Sequence, residues 1–181
     1  GVHTGALSPD GLWVLIAGEE GYARLLSAED AGDRSGDVEL NSGRSQAFQD
    51  LAWHPRGNTA LMAGDFGMAM RYDSSDYSIG PANGTGAVFG LDLTTVEWRP
   101  AGDYAYFGAI DGSIWQFSEG SGFEQLSDTG SSEVTDITCH RQENICIVAT
   151  LSDGLGVIDQ THQITYLTGT SPQTWVGVDC A

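Results

Sequence analysis

The fold is decided by a stretch that recurs along the chain, and its clearest copy is LAWHPRGNTALMAGDFGMAMRYD, residues 51–73. A short apolar strand ends at Pro55, which cannot donate a backbone hydrogen bond to a neighbouring strand. Gly57 then lets the chain reverse direction. Two further apolar runs follow, separated by an acid-and-glycine turn at residues 65–67. The pattern predicts antiparallel strands joined by tight turns.

Three other segments repeat this pattern. They are ALSPDGLWVLIAGEEGYARLL from Ala6, VEWRPAGDYAYFGAIDGSIWQFS from Val96 and ITCHRQENICIVATLSDGLGVID from Ile137. Pro9, Pro55 and Pro100 lie 46 and 45 residues apart, and Arg141 takes the equivalent place 41 residues further on. A weaker fourth strand fits each unit. Four strands in each such period is typical of a β-propeller blade.

The repeat predicts an all-β chain that forms a single β-propeller segment of four-stranded antiparallel blades. The expected blades span residues 1–46, 47–91, 92–132 and 133–172, and residues 173–181 would form the first strand of a fifth. Four blades leave open sheet edges, which proteins avoid because unpaired strands aggregate. We therefore expect a longer chain or the association of copies to complete a ring. The alternative is that four blades close on themselves.

The units resemble WD40-type blades. The resemblance lies in WHPRG at residues 53–57, WRPAG at residues 98–102 and the turn and strand IDGSIW at residues 110–115. It covers nearly the whole chain and implies propeller blades without indicating a subfamily. Asp-box propellers are a second family, which residues 111–115 match in part. The chain departs from the WD40 pattern because no unit has the Gly-His dipeptide and no third strand ends in Trp-Asp. Tyr72-Asp73 and Ile158-Asp159 come nearest to that ending.

The charge of the chain is strongly negative. It has 25 acidic residues against 7 basic ones, all of which are arginine, and the net charge is −18. This charge would repel phosphate backbones, so no nucleic-acid partner is expected. The longest apolar run, residues 12–17, is too short to insert into a membrane. The acids fit a solvating surface for a high-salt or extracellular setting, or a field that attracts cations or a basic partner; the compartment stays open.

The candidate binding residues are the acids of the second turn in each unit, namely Glu19, Glu20, Asp65, Asp111 and Asp153. In a propeller these turns recur on one face, so the acids would form an arc. That arc could hold a calcium ion or receive a basic loop of a partner. The alternative is that acid-glycine pairs are simply good hairpin turns. No other cofactor or metal site is expected.

The cysteines and one asparagine complete the candidate sites. Cys139 and Cys146 flank a predicted hairpin, where they would form either a disulfide or two buried thiols. Cys180 has no partner left within the chain, and the spacing of the three does not fit a zinc site. Asn83 begins an Asn-Gly-Thr sequence, which would be glycosylated if the protein is exported.

Catalytic motifs are absent from the sequence, including the patterns of nucleophile elbows, zinc proteases and phosphate-binding loops. We therefore expect a non-enzymatic protein-interaction or scaffold module whose partner is another protein or further copies of itself. The alternatives are a hydrolase or lyase acting on a carbohydrate-like substrate, and a cation-dependent element of a surface assembly. Fold alone does not decide between them.

Overall fold

The strands of the chain form four separate antiparallel sheets. The computed structural model describes residues 1–29, 35–82, 90–126, 130–171 and 173–180. These residues hold sixteen strands in four sheets of four, which confirms the all-β expectation and the four-stranded repeat. Each sheet uses four consecutive strands in chain order. In the same described residues, no helix is long and apolar enough to cross a membrane.

The chain divides into two compact units, and the first (Gly1–Gly90) holds two sheets. Sheet 1 contains β1 (Val2–Leu7), β2 (Trp13–Gly18), β3 (Tyr22–Ser27) and β4 (Val38–Asn41). Sheet 2 contains β5 (Phe48–Trp53), β6 (Thr59–Gly64), β7 (Met68–Asp73) and β8 (Ser78–Pro81). Buried side chains of both sheets, among them Leu15, Leu25, Phe48 and Met62, form one core. β6 is buried along its whole length, and Ala60 and Met62 on one of its faces belong to this core.

The second unit (Leu91–Ala181) repeats this arrangement. Sheet 3 contains β9 (Leu93–Trp98), β10 (Ala105–Ala109), β11 (Ile114–Ser118) and β12 (Gly122–Gln125). Sheet 4 contains β13 (Val134–Cys139), β14 (Cys146–Thr150), β15 (Leu155–Ile158) and β16 (Ile164–Tyr166). The core again joins both sheets, with Tyr106 and Ile114 from sheet 3 beside Val134 and Val148 from sheet 4.

Each sheet has two edges where the chain reverses. The first-turn edge carries the turn between strands one and two and the turn between strands three and four. The second-turn edge carries the turn between strands two and three, together with the start of strand one and the end of strand four. The two edges lie at opposite ends of a sheet because neighbouring strands are antiparallel.

In sheets 2 and 4, a histidine at the same position of the repeat makes hydrogen bonds across the first turn. His54 and His140 both occupy it, and the backbone N–H of His54 donates to the carbonyl of Thr59 at 2.9 Å. Their rings also accept from the turn: Arg56 N–H lies 3.1 Å from His54 Nδ1, and Glu143 N–H lies 3.0 Å from His140 Nδ1. These histidines therefore cap their turns.

The expectation of a further strand over residues 173–181 is wrong for the part that the structure describes. Residues 173–180, here called the tail, form no strand. A strand needs a neighbour with which to share backbone hydrogen bonds. The tail instead folds onto sheet 4, where Val178 N–H donates to the Asp136 carboxylate at 2.8 Å. Residue 181 lies outside the described residues.

Candidate functional site

The candidate acids all lie on second-turn edges, and in the first unit two of their turns flank one segment. The turns Glu19–Gly21 and Asp65–Gly67 are short 3-10 turns. Gly21 N–H donates to the carbonyl of Gln46 at 2.8 Å, and Asp65 N–H donates to the carbonyl of Ala47 at 3.0 Å. Both acid turns of this unit therefore meet the segment that leads into β5.

Glu19 and Glu20 line an open depression of about 800 Å³ on the second-turn edge of sheet 1. Tyr22, Asn41 and Arg44 also line it. The Glu19 carboxylate contacts the amino group of Gly1, which is the main reason that the pKa of Glu19 lies below its usual range. The depression combines acidic and aromatic side chains with the Asn41 amide and the Arg44 guanidinium.

In the second unit, Asp111 and Asp153 bind backbone groups. The Asp111 carboxylate accepts from the N–H of Ser113 at 2.9 Å and from its hydroxyl at 2.6 Å. The Asp153 carboxylate accepts from the N–H groups of Ser131 and Ser132 at 2.7 and 2.8 Å. The Asp111 bonds hold its own turn in shape, whereas the Asp153 bonds tie the second turn of sheet 4 to the segment that leads into β13.

In the part of the chain that the structure describes, the acids of the second turns are not gathered into one cluster. Asp65, like Asp111 and Asp153, uses one carboxylate oxygen internally, accepting from Gln49 Nε2 at 2.7 Å. Among the described residues, no group of three or more histidine, cysteine, aspartate or glutamate side chains is placed to hold a metal ion. Calcium binding by these turns stays a prediction.

The second-turn edges expose large apolar side chains, a feature that the sequence patterns did not reveal. Among the described residues with this property, six lie on second-turn edges: Val2, Tyr22, Phe66, Ile110, Leu151 and Leu167. Three lie on first-turn edges: Leu7, Leu12 and Tyr77. Phe66 is 67% exposed, and its φ of 57° lies in the left-handed region. Glycine or asparagine would fit that conformation better, so turn geometry does not explain a phenylalanine there.

Consecutive sheets within a unit are joined by one repeated contact. The second residue of a first strand binds the carbonyl of the first residue in the next first strand. His3 Nδ1 lies 3.1 Å from the carbonyl oxygen of Phe48, and the Thr94 hydroxyl donates to the carbonyl of Val134. We call this contact the junction bond. It fixes each first strand against the next because both partners lie on β-strands.

A buried polar pair, also missed from the sequence, connects sheets 3 and 4. Tyr106 OH lies 2.7 Å from His162 Nδ1, and the His162 ring packs edge-on against Tyr104 at 4.8 Å between ring centres. Burial raises the pKa of Tyr106 to about 12, and burial followed by the charge of Arg99 lowers the pKa of His162. The Tyr106 side chain is only 1% exposed, so this hydrogen bond helps to pack sheet 3 against sheet 4.

The structure decides between the two alternatives for Cys139 and Cys146 but does not describe Asn83. The structure joins Cys139 and Cys146 by a disulfide across β13 and β14 rather than leaving two buried thiols. Cys180 carries a free, half-buried thiol. Asn83 lies outside the described residues.

Comparison with known proteins adds no relative. The chain matches no protein-family model. It also has no significant match among curated proteins. A functional assignment therefore depends on the geometry of this chain.

Proposed function

We propose that the four sheets are blades of a β-propeller and that the protein is a non-enzymatic interaction scaffold. The junction bond supports the propeller, because it stacks one sheet on the next through their first strands, as successive blades require. The exposed apolar residues on the second-turn edges carry the binding role. Each of the four second-turn edges exposes at least one large apolar side chain among the described residues, and exposed apolar surface rimmed by polar residues is typical of binding surfaces.

The preferred partner is a protein segment that combines basic and apolar side chains. On each second-turn edge an apolar residue stands within a few positions of a candidate acid: Phe66 follows Asp65, Ile110 precedes Asp111, and Leu151 lies two residues before Asp153. An apolar contact would supply affinity, and the surrounding negative charge would favour a cationic partner.

Peptide binding tests this function. The probes are two synthetic peptides with the same leucine and phenylalanine positions, one rich in lysine and the other rich in glutamate. The basic peptide should bind, and the variant Tyr22→Ser/Phe66→Ser, within the first unit, should weaken binding at least about ten-fold, since each lost apolar contact removes about 1 kcal/mol or more. The matched control in the same unit is Leu7→Ser/Tyr77→Ser on the first-turn edges. Equal loss in both variants, or equal binding of both peptides, would contradict the proposal.

The alternatives have their own tests. Release of reducing sugar from a panel of polysaccharides would show that the protein is a carbohydrate-active enzyme and not a scaffold. A rise in melting temperature with millimolar calcium, beyond that given by sodium at the same ionic strength, would support a cation-dependent element.

A further inference from the structure

Sheet 4 differs from the other sheets at one residue pair, formed by the last residue of strand one and its partner on strand two. In the other three sheets the pair is apolar, with a tryptophan in two of them: Leu7 with Val14, Trp53 with Ala60, and Trp98 with Ala105. In sheet 4 the same pair is Cys139 with Cys146, and the two form the disulfide. The disulfide thus occupies a position that side-chain packing fills elsewhere in the repeat.

The tryptophans of sheets 2 and 3 pack on an aromatic residue of strand three. Trp53 lies edge-on to Tyr72 at 5.5 Å between ring centres, and Trp98 lies edge-on to Phe117 at 6.2 Å. Such aromatic pairs attract each other beyond the effect of the area that they bury. In sheet 4 the strand-three residue of this row is Ile158, opposite the second cysteine. Both aromatic members are therefore replaced in sheet 4.

The first turn of sheet 4 also lacks the residues that close the other first turns. Those turns contain a proline and, two residues later, a glycine with positive φ: Pro9 and Gly11, Pro55 and Gly57, and Pro100 and Gly102. Each of these glycines donates its N–H to the carbonyl of the residue before the proline, at 2.8 or 2.9 Å. In sheet 4, Arg141 and Glu143 stand in the two places, and Glu143 N–H donates to the His140 ring. This turn therefore has neither the fixed φ of proline nor the left-handed glycine.

The disulfide lies directly beneath this exposed turn. Cys139 and Cys146 are 5% and 2% exposed and belong to the core that joins sheets 3 and 4. The turn residues 141–144 are exposed. A backbone hydrogen bond from His140 N–H to the Ile145 carbonyl, 3.0 Å long, lies between the disulfide and these residues. A reagent therefore reaches the sulfur atoms once the end of the hairpin opens, without the loss of the whole sheet.

We propose that Cys139 and Cys146 form a redox site, at which a dithiol reductant releases the first hairpin of sheet 4. A thiolate of the reductant attacks one sulfur atom and expels the other as a thiolate, and the second thiol of the reductant then attacks the mixed disulfide. Two electrons and the two thiol protons pass to the cysteines, and the reductant leaves as its own disulfide. The reduced hairpin holds two small side chains at the position of a tryptophan and an alanine, so residues 140–145 open. The inference does not rest on the proposed peptide-binding function, which uses other residues.

The first test measures amide hydrogen exchange by NMR, with and without dithiothreitol at the same pH. The His140 amide should exchange at least about ten-fold faster after reduction, because the cross-link no longer restricts the open hairpin. The His54 amide is the matched control in the same molecule, since it donates to Thr59 as His140 donates to Ile145. Its exchange should not change. Equal exchange at His140 in both states, or equal acceleration at His54, overturns the proposal.

The second test shows whether the folded protein is what the reductant attacks. The rate at which the two new thiols appear is followed by alkylation and mass spectrometry at several low urea concentrations. The rate should be nearly independent of urea, because opening one hairpin end exposes little surface. A rate that rises with urea as steeply as global unfolding does would mean that only unfolded chains are reduced, and it overturns the proposal.

Two variants separate the disulfide from its surroundings. Cys139→Ser/Cys146→Ser imitates the reduced state and should show fast exchange at His140 without any reductant. Cys139→Trp/Cys146→Ala introduces the pair of sheets 2 and 3 and should show slow exchange with or without reductant. Slow exchange in the serine variant means that other contacts close the hairpin and overturns the proposal. So does a tryptophan variant that dithiothreitol still accelerates, because the reductant would then act elsewhere.

Discussion

Gly11 and Gly21 lie at opposite edges of sheet 1 and have nearly the same backbone conformation, with φ of 76° and 69°. A Cβ on Gly11 would meet nothing within 4 Å, whereas on Gly21 it would stand 2.2 Å from a backbone carbonyl. At position 11, only the positive φ of the turn requires glycine. At position 21, glycine is required by the positive φ and also by the close approach of the neighbouring segment. At Gly11 the first turn of sheet 1 has no neighbouring backbone nearby, whereas at Gly21 the second turn packs against the segment that leads into sheet 2.

The largest expected effect separates these two glycines. Gly21→Ala should lower the free energy of unfolding by about 3 kcal/mol or more. The alanine must adopt a strained left-handed conformation, and the Arg44 carbonyl must also move away from the new Cβ. Gly11→Ala should lower it by about 1–2 kcal/mol, the cost of a left-handed alanine. Urea denaturation of both variants measures the difference. Equal losses would mean that the second-turn edge is no more constrained than the first.

The next largest loss of stability is expected for substitutions of Asp153, on the second-turn edge of sheet 4. Asp153→Ala leaves two backbone N–H groups without their acceptor and should cost about 1–3 kcal/mol. Asp153→Asn keeps one acceptor oxygen and should cost less. If the asparagine variant is as unstable as the alanine variant, then charge rather than hydrogen bonding is what the turn needs.

The pH dependence of His162 tests the first-turn edge of sheet 4. Its pKa in the folded protein lies below the usual 6.5, so the unfolded chain binds the proton more readily. Stability from this group is present above about pH 6.5 and is lost as the pH falls below that value. His162→Asn tolerates the left-handed turn and should flatten this part of the stability profile. An unchanged slope between pH 7 and pH 5 would assign the dependence to other groups.

The smallest effect belongs to Asp136, beneath the tail. Burial raises the pKa of its carboxyl, so the folded state disfavours the charged form. Any stability from the protonated form is lost as the pH rises through the folded pKa. Asp136→Asn keeps an acceptor for Val178 and removes the buried charge, so it should be neutral or slightly stabilising at pH 7. A clear loss of melting temperature would show that the tail needs the charge.

The repeat made the sheets predictable, because strands, turns and period are local properties of residues such as Pro55 and Gly57. The contacts between sheets were not predictable in this way. Tyr106 and His162 are 56 positions apart, and nothing near either residue in the sequence indicates the other. The tail shows the same limit. Its sequence resembles that of a first strand, but strand formation depends on backbone hydrogen bonds to a neighbouring strand, which its own residues do not indicate. The acids of the second turns were found correctly as turn residues, while the exposed apolar residues beside them carry no sequence pattern.

The half-buried thiol of Cys180 makes it possible to measure the opening of the tail by chemical labelling. The other two cysteines are joined to each other, so a thiol reagent reacts at one place without any mutation. If the thiol is protected while the tail is docked, its alkylation rate equals the rate in an unfolded chain multiplied by the fraction of time that the tail is open. The alkylation rate of the unaltered protein, divided by the rate of an unfolded chain, would therefore give the fraction of time that this segment spends away from sheet 4.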